Sequence, residues 1–211
     1  MFEHLALRPL QVSDAADMSE VLSDPELYRF TGGHPPTTGE LERRYAVQTR
    51  GGSPAGLEIW INELVVVRTD SGERPVGFVQ ATIPVDTGPT EIPWVIGVPW
   101  QGNGYGDRAA SLLMEQLRER GITDVIAHIH PDHTASQRIA QRLAMEPTDI
   151  TIDGETLWKG TTPEPTRGCL KPSARPGRTG QFSCVATPFS SALSPGSPGW
   201  SLAFAPVPVS R

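Results

Sequence analysis

The sequence predicts a mixed α/β fold, a sheet with helices on its faces. Three observations lead there. Short β-branched and apolar runs alternate with segments of helical period; two of those runs, Leu57 to Arg68 and Val76 to Ile83, are joined by a Gly- and Pro-bearing stretch; and one strand is followed at once by a glycine-rich turn and a long amphipathic helix.

Taken in order, Leu5 to Arg8 alternates as a short strand. Ser13 is placed to cap a helix carrying Met18, Val21 and Leu22 on one face, and Pro25 starts a second short turn through Leu27 and Tyr28. Thr37 and Glu40 have capping-box spacing ahead of a helix bearing Leu41 and Tyr45. The strand Leu57 to Arg68, with its core Leu64-Val65-Val66-Val67, a turn over Ser71 to Pro75, and the strand Val76 to Ile83 make an antiparallel hairpin. Glu91 to Val98 reads as a third strand, and Gly104 to Arg120 as a helix with Ala109, Leu112, Leu113 and Leu117 at helical spacing. Asp124 to His130 is a further strand, a last helix carries Ser136, Ile139, Ala140 and Leu143, and Thr151 to Lys159 closes the pattern as one strand. The predicted order is β-α-α-β-β-β-α-β-α-β.

Composition divides the chain near residue 160. Of the 51 residues from 161 to 211, 22 are Pro, Gly or Ser, and five basic residues face a single acid, Glu164. Such a segment cannot bury enough apolar surface to offset its chain entropy, so 161–211 reads as a disordered basic tail and 1–160 as the folded domain. The whole chain has 18 basic and 24 acidic side chains, a net charge of -6, which argues against phosphate-backbone binding and so against a nucleic-acid partner. No apolar run is long enough to span a bilayer and Met1-Phe2-Glu3-His4 lacks a signal-peptide pattern, so the expected location is cytoplasmic, with no membrane partner. Cys169 and Cys184 both fall in the tail, away from the periodic region, and suggest neither a disulfide framework nor a thiol nucleophile.

The segment richest in chemistry is Val98-Pro99-Trp100-Gln101-Gly102-Asn103-Gly104-Tyr105-Gly106-Asp107. Glycines bare the backbone, and the free N–H groups and dipole of a helix start favour an anion, so this turn reads as a phosphate cradle. It is not a dinucleotide fingerprint, which needs glycine where Asp107 stands, and it lacks the Gly-Lys-Ser/Thr of a Walker loop.

Gln101-x-x-Gly104-x-Gly106 resembles the Q/R-x-x-G-x-G/A signature of the GNAT N-acetyltransferase superfamily. Leu5-Ala6-Leu7-Arg8-Pro9-Leu10 with Asp14 resembles the opening of its ribosomal-protein and antibiotic acetyltransferase branch, as do His133-Thr134-Ala135-Ser136 and Leu143-Ala144-Met145 further on. Two positions depart from that pattern: His133 stands where Asn is usual, and Ala144 where Gly is usual. The resemblance spans about residues 4 to 159 and implies a mostly antiparallel sheet, splayed where the third strand leaves Asp124 to His130, with acetyl-CoA as co-substrate in that wedge. It also implies cofactor contacts from Val98, Gln101, Gly102, Asn103, Gly104, Tyr105, Gly106 and His133. Glu91 would take the amine's proton, and Ser136 would serve the departing thiolate. The acceptor is expected to be a small-molecule amine or a peptide N-terminus, entering past residues 13 to 48 with Phe30 to His34 as a mobile wall. The protein would be a monomer or homodimer.

Two other readings stay open. The departures at His133 and Ala144 fit a catalytically silent GNAT-like module that binds coenzyme A or a partner protein. His128-Ile129-His130-Pro131-Asp132-His133 matches the H-x-H-x-D-H string of the metallo-β-lactamase fold, which would make a zinc hydrolase, but no histidine follows His133 to complete its sites, so no resident metal is expected.

Overall fold

In the computed structural model the described residues are 4–70 and 72–163. They form strands β1 (His4–Pro9), β2 (Glu58–Thr69), β3 (Gly72–Pro84), β4 (Thr90–Glu91), β5 (Trp94–Ile96), β6 (Asp124–Ile129), β7 (Glu146–Ile152) and β8 (Glu155–Thr161). The helices are α1 (Ala15–Val21), α2 (Thr38–Gln48), α3 (Tyr105–Glu119) and α4 (Thr134–Arg142). The expected tail lies outside the described residues from position 164 onward. Its first residues belong to the fold: β8 runs through Thr161, and the Thr162 hydroxyl donates to the Ile122 carbonyl at 2.8 Å. None of the described helices is long and apolar enough to cross a membrane.

The eight strands form one sheet in the order β1-β2-β3-β4-β6-β8-β7, with β5 paired to β3. All pairings are antiparallel except β4 with β6. The mixed, mostly antiparallel α/β class expected from sequence is the class observed. On one face α3 and α4 cover an apolar layer that includes Val65, Val79, Ala81, Ile92, Val125, Ala127 and Ile129. On the other, α1 and α2 bury Met18, Leu22, Leu41 and Tyr45 against Leu64 and Val66. Alternation along β2 sends Val65 and Leu64 to opposite layers, which is why this run is apolar throughout.

Local chemistry explains where the elements begin. The capping box is present: the Thr37 hydroxyl accepts from the Glu40 N–H and the Glu40 carboxylate accepts from the Thr37 N–H at 2.8 Å. Ser13 does not cap α1. It lies in a single 3-10 turn, Val12–Asp14, whose entry is fixed by the Asp14 carboxylate accepting the Gln11 N–H at 2.7 Å. Asp14 also receives Arg8 in a two-pronged pair, Nη1 at 2.9 Å and Nη2 at 2.8 Å, while Arg8 Nε donates to Glu73 at 2.6 Å. With its side chain only 8% exposed, Asp14 ties β1, β3 and the start of α1 together through Arg8. Asp14→Ala strands the guanidinium and frees the Gln11 N–H; urea unfolding is expected to show a loss of about 2–4 kcal/mol, and an unchanged midpoint would contradict this account.

Three boundaries differ from the sequence reading. β3 begins at Gly72, so Glu73, Arg74 and Pro75 are strand residues, and the irregular register between Val65 and Val66 is the bulge that accommodates a residue without an N–H. The closing segment is two strands, turned at Asp153 (φ 51°) and Gly154 (φ 86°), the left-handed pair of a tight hairpin. Most consequential, the third strand is two. The Ile92 N–H makes the last bond to β6, at the Ile126 carbonyl (2.9 Å). Pro93 has no N–H to continue that ladder, and its carbonyl accepts from the Gln80 N–H on β3 (3.1 Å). β5 therefore stays with β3 and parts from β6, and the sheet splays at Pro93.

Candidate active site

The splay leaves the outer edge of β5 facing a wedge. Gln80 with Pro93 and Val76 with Gly97 are hydrogen-bonded across β3 and β5, and alternation turns the backbone groups of Trp94 and Ile96 to the opposite edge. The Ile96 carbonyl on that edge accepts from Gln101 Nε2 at 2.9 Å, which pins the glycine turn to the strand. Val98 lies in a 3-10 turn, Val98–Trp100, beyond the end of β5, and so is not a strand residue.

The glycine turn follows directly. Asn103 Nδ2 donates to the carbonyls of Trp100 (3.1 Å) and Gln101 (3.3 Å), so the side chains of Gln101 and Asn103 brace the loop, and what the loop offers outward is backbone. Gly102 (φ 79°) and Gly104 (φ 74°) are left-handed, and a Cβ on either would meet nothing within 4 Å. Gly104 is the residue before α3, whose first ladder bond is Arg108 N–H to Gly104 O at 3.1 Å. The N–H groups of Gly106 and Asp107 precede that bond and have no partner within the helix. Gly106 serves a separate purpose: its Cβ would lie 2.9 Å from Ile139 Cδ1, so its bareness lets α3 press against α4. The Asp107 carboxylate, an unfavourable neighbour for an anion, is drawn aside by Arg142 at 3.4 Å.

At the other mouth of the wedge stands Glu91, the last residue of β4. It pairs in parallel register with Ile126, so Glu91, Ile126 and His128 project from one sheet face. Glu91 Oε1 is buried without a hydrogen-bond partner and lies 3.8 Å from His128 Nε2; the two side chains are 20% and 18% exposed. Burial, with help from the charges of Glu155 and Glu58, pushes the Glu91 carboxyl up to about 7. Burial pushes the His128 imidazole down and the Glu155 carboxyl up. Glu58 on β2 accepts from the Trp60 indole N–H at 2.9 Å.

Ser136 sits in the first turn of α4. His133 is the residue preceding that helix: its ring accepts from the Ser136 N–H at 3.4 Å, and its Nε2 is 3.4 Å from Ser136 Oγ. The Phe30 ring lies 4.7 Å from that of His133 and 5.2 Å from that of His130, which brings the Phe30 to His34 loop to the α4 end of the wedge. Ala144, where the resembling pattern has glycine, adopts the left-handed conformation anyway (φ 57°). The H-x-H-x-D-H string does not gather as a ligand set: His128 faces Glu91, His130 Nδ1 accepts from the Asp132 N–H (3.1 Å), and His133 caps α4. Among the described residues no three His, Cys, Asp or Glu side chains are grouped to hold a metal ion.

The sequence reading assigned Glu91, the glycine turn, His133 and Ser136 to the site; it did not assign His128 or Glu155, which the structure sets near Glu91. The alternation of His128 and His130 on a strand was the available signal for the first; for Glu155 the Asp153-Gly154 hairpin turn was.

Residues 4–146 match the family model described as an acetyltransferase (GNAT) domain. The chain belongs to the GNAT acetyltransferase family. Within it, the chain is 38% identical over 96 residues to an L-2,4-diaminobutyric acid acetyltransferase of Streptomyces coelicolor, a match covering 44% of this chain and 55% of that protein, so the chain spans about half the length of that curated relative. The GNAT fold is shared with a GNAT-family acetyltransferase of Bacillus anthracis (TM-score 0.59, 18% identity, 75% of this chain and 95% of that one). It is shared also with an aminoglycoside acetyltransferase solved with ribostamycin and coenzyme A (TM-score 0.60, 19% identity, 79% and 99%). β8 and most of β7 lie beyond the residues of the family match, yet β8 pairs with β6 from Thr156 to Thr161 and completes the GNAT sheet here.

Proposed function

We propose that this GNAT domain moves an acetyl group from acetyl-CoA to a primary amine by direct attack, with Glu91 as the group that takes the amine's proton. The observation that carries this reading is the position of Glu91: a largely buried carboxyl whose Oε1 has no hydrogen-bond partner, at the point where Pro93 parts the strands, with burial raising its pKa. Acetyl-CoA supplies the activated acyl group. The residues fit it, because Gly102 and Gly104 leave open space over a run of backbone N–H groups at the start of α3, which suits the diphosphate of coenzyme A. Backbone at Trp94 and Ile96, more than at Val98, is placed to pair with an extended chain in the wedge. Ser136, at the start of α4, is the group offered to the departing thiolate.

The acceptor is a small molecule with more than one amino group. Glu58 and Glu155 add negative charge around Glu91, and Asp153 adds it beside His128, which favours a cation with charge to spare after one nitrogen is deprotonated. The likeness to a diaminobutyric acid acetyltransferase, and the Arg8 to Asp14 opening that resembles the antibiotic acetyltransferase branch, support the same class. Purified protein with acetyl-CoA and, separately, L-2,4-diaminobutyrate, spermidine, ribostamycin, glycine methyl ester and a tripeptide is expected to release thiol fastest with the polyamines, by about tenfold or more over the monoamine. Absence of thiol release with every amine would overturn the reading.

A further inference from the structure

We infer that His128 is a positioning residue for Glu91, its imidazole N–H closing on the Glu91 carboxylate and holding it ionised and aimed into the wedge. This rests on the reading of Glu91 as the proton acceptor. β4 and β6 are the single parallel pair of the sheet, and their register puts Glu91 beside Ile126 with His128 two residues further along the same face. Pro93 then bends the chain away toward β3, so no backbone from β5 comes between the two side chains. The gap from Glu91 Oε1 to His128 Nε2 is 3.8 Å, just beyond hydrogen-bond distance, and Oε1 is buried with no other partner. A buried carboxylate oxygen left in that state is costly, and His128 offers a ring nitrogen within 4 Å of it; such contacts commonly tighten once substrate fills the site.

The surrounding groups make His128 the one cation-capable neighbour aimed at Glu91. From β8 comes Glu155, and from the turn after β7 comes Asp153; from β2 comes Glu58. β3 offers Thr82 opposite Glu91, which is uncharged. Lys159 shares the row through Ile126 but is exposed, and His130 is turned to Asp132. With the carboxylates of Glu155 and Glu58 pressing on it, Glu91 has the His128 donor to offset them. One proton passes from the acceptor ammonium to Glu91 and from Glu91 to solvent, His128 keeping its own N–H; the second leaves nitrogen as the amide forms and ends on the thiol sulfur.

The test reads the carboxyl directly. Carbon-13 NMR of the full chain, with Glu91 assigned through Glu91→Gln, follows its titration in wild type, His128→Leu and His128→Gln. The Leu variant is expected to raise the Glu91 midpoint by about one pH unit, and the Gln variant, which keeps an N–H donor, to leave it within a few tenths of wild type. In acetyl transfer to L-2,4-diaminobutyrate the acid limb of kcat should move in the same way, with KM for acetyl-CoA unchanged in all three. A Glu91 midpoint that does not respond to His128→Leu, or a Gln variant that behaves as Leu does, overturns the role of His128. If Glu91→Gln turns over as wild type, the reading of Glu91 itself falls and the pair with it; if Glu91→Gln is inactive while His128→Leu titrates normally, only the pair falls.

Discussion

Glu91→Gln is expected to lower kcat by two to four orders of magnitude while leaving coenzyme A affinity unchanged. The amide keeps the shape of the side chain and removes its ability to accept a proton, so the loss belongs to the chemical step. The pH dependence follows from the same burial. An amine must lose a proton to attack, so Glu91 works in its ionised form, and with its carboxyl pushed up to about 7 the wild-type rate should rise through neutral pH and level off above it. In Glu91→Gln that limb should vanish. Stability should move the other way. The folded-state pKa lies above the ordinary 4.5, so the unfolded chain sheds this proton first, and folding free energy is lost as pH rises from about 4.5 through about 7. Gln carries no such penalty. The variant should therefore unfold at higher urea than wild type at pH 8, by about 1–3 kcal/mol, and at the same urea at pH 5. An inactive but sturdier protein is the signature of a group kept for its chemistry; a variant weakened at both pH values would make Glu91 a structural residue.

The parts of the fold that the sequence announces are those written in local codes. The capping box at Thr37 and Glu40, the apolar run of β2, the helical spacing of Ala109, Leu113 and Leu117, and the glycine turn all depend on residues close in the chain, and each is found where the pattern places it. The errors arise where one residue decides. Pro93 cuts an apolar run that otherwise reads as one strand, and its missing N–H parts β5 from β6; Asp153-Gly154 is a hairpin dipeptide inside what reads as a single closing strand. Ser13 has the right chemistry for a cap but lost the place to Asp14, which Arg8 recruits from β1. The approach of His128 to Glu91 is of another kind. It comes from a parallel pairing of strands separated by α3, and no spacing in the sequence encodes it.

The glycines of the turn should separate under substitution, and Gly104→Val should have the largest effect on the cofactor. Gly104 is left-handed with open space where a Cβ would go, so the free protein meets strain there and no clash. Ala at this position is expected to cost only that strain, about 1–2 kcal/mol, and at most tenfold in coenzyme A affinity. Val adds a β-branched group that resists the left-handed conformation further and stands over the N–H groups of Tyr105 to Asp107, so calorimetry should show a loss of about 100-fold or more, close to 3 kcal/mol of binding. Gly106→Ala reports on packing instead: its methyl would lie 2.9 Å from Ile139 Cδ1, forcing α4 away from α3. That variant should unfold more easily while the exposed amides of the turn stay in place. Coenzyme A affinity equal to wild type in Gly104→Val would show that the diphosphate is held elsewhere, and would remove the glycine turn from the site.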